Sequence, residues 1–469
     1  MLTQLYILAL FTKIELAKEL ILIILGCIIT LAFTYLPKYI NRKCSENRIP
    51  NVIRYNNDSF ARETIKYRFR NIITNIKADK YPDIPDYSEL TGSKFSIGFL
   101  DNDIFSRYSD ELLKSWAKQQ NTQYDQNDVS KFFTNAPFID VEHYFYFYIL
   151  HHVNNSHGEN TGKIIDPYRE NKISSMEKDY FSTSGTHESK IKKLLELGLK
   201  IKNCTGDRNQ EENLGKLLKM NLSANSTDLS QLFWEQFSEV RAAIDDSKEF
   251  WADYASDLGG TSRINILVDN FGIEFLSDII LGYYFILKKG RDTDIEIIYH
   301  VNELPIFVSD VKSGDEKLLF DILSKLTENN EEYTALLDDI RSFIGTKLIF
   351  RPDFFWNMPD NYNIVSKSEY KNTRELSAIK DIFNGSNLLI VKGDLNYRRM
   401  VGDRNYNPNK KIESRIGYIK CPVLIIRSFK SDCTLLGRKG RDFLRNKNIE
   451  QDWQSSGKYG IIQYIDNHR

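Results

Sequence analysis

The chain has 469 residues, 41% of them hydrophobic and 27% charged, which is the composition of a globular protein and excludes wholesale disorder and collagen-like repetition. At about 150 residues per domain the length allows two or three units. The 63 basic residues nearly balance the 64 acidic ones, so bulk polyanion binding is excluded and no nucleic-acid partner is expected. Five cysteines, an odd number with no CxxC pair, argue against a disulfide scaffold or a cysteine-rich zinc site.

Leu20–Leu36, LILIILGCIITLAFTYL, is uncharged for seventeen residues, the short end of what crosses a bilayer core. Lys18 and Glu19 precede it, and Lys38, Arg42 and Lys43 follow. The basic excess after the segment predicts a single-pass anchor, residues 1–50, with the main body facing the cytosol. A secretory signal, a buried core helix and a soluble cytoplasmic protein are the competing readings.

After Pro50 the character changes. Ser59–Lys77 sets Phe60, Ile65, Phe69, Ile72, Ile73 and Ile76 at helical spacing, with Ser59 as the expected N-cap. Similar patterns recur at Asp110–Gln119, Val141–Val153, Ser189–Leu199 and Ser230–Ile244, so residues 51–255 read as a mainly helical domain. The basic cluster Lys190, Lys192 and Lys193 reads as a solvated helix face. Asn203–Asp228, rich in Asn and Ser, reads as loops around one short helix.

From residue 256 to 469 short apolar runs alternate with helical patterns. The runs are Ile264–Val268, Ile295–Val301, Ile306–Val308, Leu388–Val391, Val423–Ile426 and Gly460–Ile465. Buried strands alternating with helices predict an α/β domain on a mostly parallel, doubly wound sheet. In such a sheet ligands bind beyond the carboxyl ends of the strands. Those ends carry Asp269, Asn270, Asp310, Lys392, Asp394, Arg398 and Lys430, and their convergence on one rim is the main sign of a site.

Asp269, Asn270 and Asp310 offer hard oxygen donors suited to Mg²⁺ or Mn²⁺, with no His or Cys cluster pulling toward zinc. Gly272 then opens a helical pattern over Ile273–Leu287, whose first N–H groups can face an anion. Arg398 and Lys430 are cations able to hold a phosphate. A metal with two cations describes a site for a phosphorylated ligand. Other features point elsewhere with less support. Asp101-x-Asp103 in FSIGFLDNDIF follows an apolar run, as in aspartyl-nucleophile phosphatases, but Phe105 does not fit that motif. There is no GxGxxG, no Walker lysine loop and no GxSxG elbow.

The rim stretches are also similar to a known family. VKGDLNYRRMVGDR at Val391–Arg404 resembles the damage-control phosphatases, metal-dependent enzymes acting on phosphorylated metabolites. So do VDNFGIEFLSD at Val268–Asp278, LPIFVSDV at Leu304–Val311 (with Ile306 where Trp is usual) and WQSSGKYGIIQY at Trp453–Tyr464. In the amino-terminal half SFARET, VEHYFY, DPYRENK and NSTDLS agree as well, so the resemblance spans residues 51–469. Arg427-Ser428-Phe429-Lys430 resembles the Arg-Thr-x-Lys motif of the sugar-phosphate branch, also described as acidic-residue methyltransferases. The resemblance implies metal ligation by Asp269, Asn270 and Asp310. It implies substrate contacts from Asp269, Asn270, Asp394, Arg398 and Lys430, with Asp269 and Asp394 catalytic. The implied cofactor is a divalent cation, Mn²⁺ first, with Mg²⁺, Co²⁺ or Ni²⁺ as alternatives. The implied activity is hydrolysis of small phosphorylated sugars such as fructose 1-phosphate. An S-adenosylmethionine-dependent protein carboxyl methyltransferase and a non-catalytic sugar-phosphate binder are the two rival functions. The family is generally soluble, and Leu20–Leu36 departs from it.

Overall fold

The computed structural model describes residues 50–92, 111–124, 129–157, 164–182, 189–204, 206–226, 240–366 and 374–467. The expected anchor Leu20–Leu36, and the Asp101 and Asp103 pair, lie outside the described residues. Among the described residues no helix is long and apolar enough to cross a membrane. Cys204, Cys421 and Cys433 are free thiols.

Val52–Arg469 forms one compact unit built on seven strands. These are β1 (Arg241–Asp245), β2 (Arg263–Leu267), β3 (Glu296–Asn302), β4 (Leu348–Asp353), β5 (Leu388–Lys392), β6 (Val423–Ser428) and β7 (Tyr459–Ile465). Their order in the sheet is β1-β7-β6-β5-β2-β3-β4. Every neighbouring pair is parallel except β6 with β7, which is antiparallel. The mostly parallel α/β sheet expected from the apolar runs is present.

Alternation along the strands serves two cores. Leu389 and Val391 of β5 and Val423 and Ile425 of β6 pack on one face, with the Phe138–His157 helix. Leu388, Ile390, Leu424 and Ile426 pack on the other, with Lys190–Lys202, Asp207–Asn225 and Ile273–Lys289. The amino-terminal helices therefore cover both faces of the sheet, and β1 enters that sheet within the stretch read as helical.

Three local expectations are corrected. The pattern over Ser230–Ile244 predicts a helix; residues 230–239 lie outside the described residues, and Arg241–Asp245 is an edge strand whose parallel register on β7 is broken by a bulge between Ala242 and Ile244. Ile306–Val308 is buried but lies in the loop after β3, not in a strand. Asn203–Asp228 contains a 19-residue helix, Asp207–Asn225, that buries Leu214, Leu217, Leu218 and Leu222. Asn221 and Asn225 share that buried face, and two polar residues in an apolar stripe disguise its helical period.

The chain passes from β2 outward to β3 and β4, then returns to the opposite side of β2 as β5 and on to β6. The switch point thus falls between β2 and β5, where an open sheet leaves a crevice above its carboxyl ends. Register puts Leu267 opposite Val391, so Asp269 and Gly393 emerge side by side.

The observed cap of the Ser59–Glu63 turn is Asp58, one residue before the expected Ser59, and its carboxylate accepts from the Ala61 N–H at 2.7 Å. Burial, then the nearby charge of Asp432, pushes the Asp58 carboxyl up to about 7. A carboxyl raised on folding contributes stability below its unfolded value and loses it as pH rises through the folded one. Asp58→Asn keeps the capping oxygen without the charge. Its gain in Tm over the wild type should therefore grow from pH 5 to pH 7 and level off above, as followed by thermal melts. A constant difference across that range would contradict the assignment.

Candidate active site

Asp269 and Asn270 follow β2 directly, and Asp310 lies in the loop after β3. Two backbone bonds tie these segments: Phe271 N–H donates to Ser309 O at 2.6 Å and Val311 N–H to Asp269 O at 2.9 Å. They flank an isolated antiparallel bridge between Asn270 and Asp310. A pair flanked in this way is the non-hydrogen-bonded kind, in which opposed side chains stand on the same face about 4.5–5.5 Å apart at Cβ. The sheet topology thus produces the juxtaposition of an amide oxygen and a carboxylate, with Asp269 adjoining.

Neighbours orient these groups. The Asn270 amide NH₂ donates to Asp269 Oδ2 at 2.7 Å and Glu274 Oε2 at 2.9 Å, which settles which side of the amide carries oxygen. The oxygen Oδ1 accepts from the Ser309 hydroxyl. Asn225 donates to Asp269 Oδ2 at 2.8 Å and accepts from the Ser428 N–H at 2.8 Å and hydroxyl at 2.9 Å. The hydroxyl that Ser428 retains in place of the family's Thr thus anchors a residue that aims Asp269. Asn302 donates to Asp310 Oδ2 at 3.0 Å. Lys172 is fully buried and donates to Asp310 O at 2.9 Å while pairing with Asp315 at 2.9 Å and Asp166 at 3.3 Å. Burial disfavours the Lys172 charge, but the two carboxylates outweigh that and raise its pKa.

Asp394, Arg398 and Lys430 arrive from the far side of the switch point. Gly393 opens the Gly393–Val401 helix at φ +80, and a Cβ there would run into the Asp269 carboxylate. Asp394 accepts at Oδ1 from Arg427 Nε at 2.9 Å and Lys430 N–H at 3.2 Å. Arg427 is buried with its guanidinium over the Tyr397 ring at 4.0 Å. Arg398 donates to Asp403 at 2.7 and 3.2 Å and to Glu142 at 2.7 Å.

Asp269, Asn270, Asp310, Asp394, Arg398 and Lys430 all line one cavity of about 60 Å³. These six residues picked from the sequence are therefore brought to one place. Two rim expectations are corrected. Lys392 turns into the protein, pairing with Glu274 at 2.5 Å and Asp278 at 3.0 Å. Burial raises the Asp278 carboxyl to about 6, with Lys392 opposing and Glu274 adding to the rise. The start of the Ile273–Lys289 helix is no part of the cavity wall beyond Asn270. The carboxylate of Glu274 sits in its first turn and already complements the helix dipole.

The sequence reading missed the amino-terminal side of the cavity, which Phe60, Arg68, Glu142 and Tyr146 line. It also missed Asn225, Glu274 and Lys172 as supports. Most of these lie in or beside stretches that carry the resemblance, but nothing in their spacing marks a role. Ile306 is fully buried, and the wall beside it is made by Phe307 and Val308.

The oxygen set fits a hard divalent cation: two carboxylates and one amide oxygen, the last two placed opposite each other by the bridge. Among the described residues no group of three or more His, Cys, Asp or Glu is suited to a metal, and the set here counts an amide oxygen beside its two carboxylates.

A model of the damage-control phosphatase ARMT1-like domain matches residues 64–438. The chain belongs to this family. The match contains every cavity residue named above except Phe60. Curated members include the damage-control phosphatase ARMT1 of Danio rerio, 26% identical over 65% of this chain and 68% of that protein. The Homo sapiens protein of the same name is 26% identical over 78% of this chain and 81% of that protein. A solved DUF89-family structure from Pyrococcus horikoshii aligns at 16% identity and a TM-score of 0.34, over 70% of this chain and 83% of that one. Membership gives the family's coarse function, a phosphatase of metabolites.

Proposed function

We propose that this damage-control phosphatase is dependent on a divalent cation, Mn²⁺ first and Mg²⁺, Co²⁺ or Ni²⁺ next, and hydrolyses small phosphorylated sugars of the fructose 1-phosphate kind. The observation that carries the reading is the Asn270–Asp310 opposed pair, with Asp269 beside it, in one cavity with Lys430. Asp269, Asn270 and Asp310 would hold the cation, which when bound supplies Lewis acidity toward a phosphoryl oxygen.

The chain's own side chains do the rest. The Lys430 ammonium neutralises charge on the phosphoryl oxygens where the transition state concentrates it. Arg427 and the Lys430 N–H fix Asp394 through one carboxylate oxygen, so Asp394 is placed to orient a sugar hydroxyl or the attacking water. Arg398 spends three N–H groups on Glu142 and Asp403 and lines the cavity beside Lys430, as a second cation toward substrate. The motif Arg427-Ser428-Phe429-Lys430 supports sugar phosphates as the class.

Phosphate release from fructose 1-phosphate by the full chain tests the reading. Turnover should require Mn²⁺ or a related ion, vanish in excess chelator and return on adding the ion back. Zero release across a panel of sugar phosphates with each of the four ions would overturn it.

A further inference from the structure

A second cavity, of about 280 Å³, lies at the carboxyl end of the Ile273–Lys289 helix and shares no lining residue with the catalytic one. Its volume is close to the lower limit for small-molecule sites, roughly 300 Å³. Lys202, Lys288 and Arg291 line it, and among the described residues no carboxylate does. A recess walled by one sign of charge focuses its field on an ion of the other sign.

These cations are held in place by groups outside the wall. Arg291 donates to both Asp339 oxygens, at 2.8 and 2.7 Å, and Lys202 meets the same carboxylate at 3.5 Å. The Lys288 ammonium donates to Gln210 Oε1 at 2.7 Å and to Asp207 at 3.0 Å, and lies 4.7 Å from the centre of the Trp251 ring. Its side chain is only 10% exposed, whereas that of Asp207 is 84% exposed, where water and salt screen the carboxylate. Three cations thus share two carboxylates, neither of which lines the cavity, and the wall keeps a positive excess. Gln210 also lines the cavity and spends its amide oxygen on Lys288, so its NH₂ group is what it can offer a ligand. Tyr284, another lining residue, is buried, and its hydroxyl has no hydrogen-bond partner among the described residues. A buried donor without an acceptor costs stability. Burial, with Cys204 and then Asp207 adding, raises the Tyr284 phenol above its ordinary value, so it stays a donor.

We propose that this cavity binds a small anion carrying two or more negative charges, a phosphate or a polycarboxylate, at a site separate from the catalytic one. Lys202, Lys288 and Arg291 neutralise it through charge-assisted hydrogen bonds, and Gln210 and Tyr284 add neutral donors. An anionic oxygen there gives the Tyr284 hydroxyl the acceptor it lacks. The site does not depend on the phosphatase reading, since none of its groups takes part in the catalytic cavity.

Cys204 also lines the cavity, so its reactivity reports occupancy. In the full chain, alkylation of Cys204 by N-ethylmaleimide is followed by peptide mass spectrometry. The additions are inorganic phosphate, tricarballylate, and chloride at equal ionic strength, all without divalent ions. Phosphate, tricarballylate or both should slow alkylation at least fivefold and saturably, and chloride should not. The anion with the lower midpoint gives the ligand class. Lys202→Met with Lys288→Met, which leaves the Arg291–Asp339 pair intact, should raise that midpoint at least tenfold. Tyr284→Phe should raise it severalfold without lowering the Tm, since it removes an unpaired buried hydroxyl. Lys430→Met, in the catalytic cavity, should leave it unchanged. No protection by either anion, or protection that survives the double substitution, would overturn the proposal. So would protection lost in Lys430→Met, because the anion would then act from the catalytic cavity. If Cys204 is inert without any anion, calorimetric titration of Lys430→Met with the same two anions decides. Heat that is absent, or unaffected by replacing Lys202 and Lys288 as well, counts against the site. If the double variant does not fold, Tyr284→Phe decides, and an unchanged midpoint there overturns the proposal.

Discussion

Asp269→Asn should lower kcat/KM for sugar-phosphate hydrolysis on the order of 10³-fold, the scale seen when a charge-stabilising group is removed from an active site. The substitution preserves shape, so the loss is chemical. Asp269 Oδ2 accepts from Asn225 and Asn270. An amide there must either turn its own NH₂ toward those donors or break one bond, at about 1–3 kcal/mol for an unsatisfied buried group. Relief of repulsion with the nearby Glu274, which shares the same two donors, offsets part of that cost, so the fold should persist. A second readout needs no catalysis. A cation that binds only the folded state at 100 times its Kd stabilises by about 2.7 kcal/mol. Mn²⁺ should raise the Tm of the wild type by the corresponding several degrees and leave Asp269→Asn almost unmoved. Undiminished Mn²⁺-dependent turnover in the variant would remove Asp269 from the mechanism.

How much of this could be read from the chain differs by element. All five interior strands announce themselves as apolar runs, because both faces of β2, β3, β5, β6 and β7 are buried. The two missed strands, β1 and β4, are the two edges, where half-exposed positions interrupt the run. The site residues at strand ends were legible because parallel topology dictates where ends converge, whatever the strand order. Nothing local, however, tells that Asn225 reaches Asp269 or that Lys172 braces the Asp310 loop. Those contacts join residues 44 and 138 positions apart, and they become visible only once the helical layer is folded over both faces. The same limit hid Arg68, whose place in the cavity wall depends on a π-helical turn, Thr64–Arg68, that no propensity pattern encodes.

That layering explains the division of labour in the cavity. Residues on the sheet rim are held by backbone geometry: the Asn270–Asp310 bridge fixes the oxygen donors, and the β2–β5 register fixes Asp269 beside Gly393. Behind them Lys392, Glu274 and Asp278 form a buried charge cluster, with Asn221 donating to Asp278 at 2.6 Å. Removing one member of such a cluster leaves uncompensated charge and is costly. Its role is to keep the Glu274 carboxylate in place, so that Asn225 and Asn270 present the right atoms to Asp269.

The sharpest dependence on backbone geometry is at Gly393, and Gly393→Ala should inactivate the enzyme without touching a charged group. Two effects act together. The residue sits at φ +80, where an L side chain costs roughly 1–2 kcal/mol. The added methyl would also occupy space now filled by the Asp269 carboxylate. Asp269 cannot retreat freely, because Asn225 and Asn270 both hold its Oδ2. Either the carboxylate rotates off its bonds or the start of the Gly393–Val401 helix moves, carrying Asp394 and Arg398 with it. A displacement near 1 Å in such a constellation costs about 10²-fold in rate, and here both the proposed cation donors and the substrate side would shift. Expected results are a loss of kcat/KM of at least that size and a weaker Mn²⁺-induced rise in Tm. The unliganded Tm should fall by only the several degrees that the strain accounts for. Gly402→Ala is the control: the residue has φ +102 at the end of the same helix, but an added Cβ would meet only the Tyr406 hydroxyl, at 3.5 Å, with no cavity side chain in reach. It should lose comparable stability and keep its turnover. Equal activity loss in the two variants would mean that helix strain, not the contact with Asp269, governs the effect.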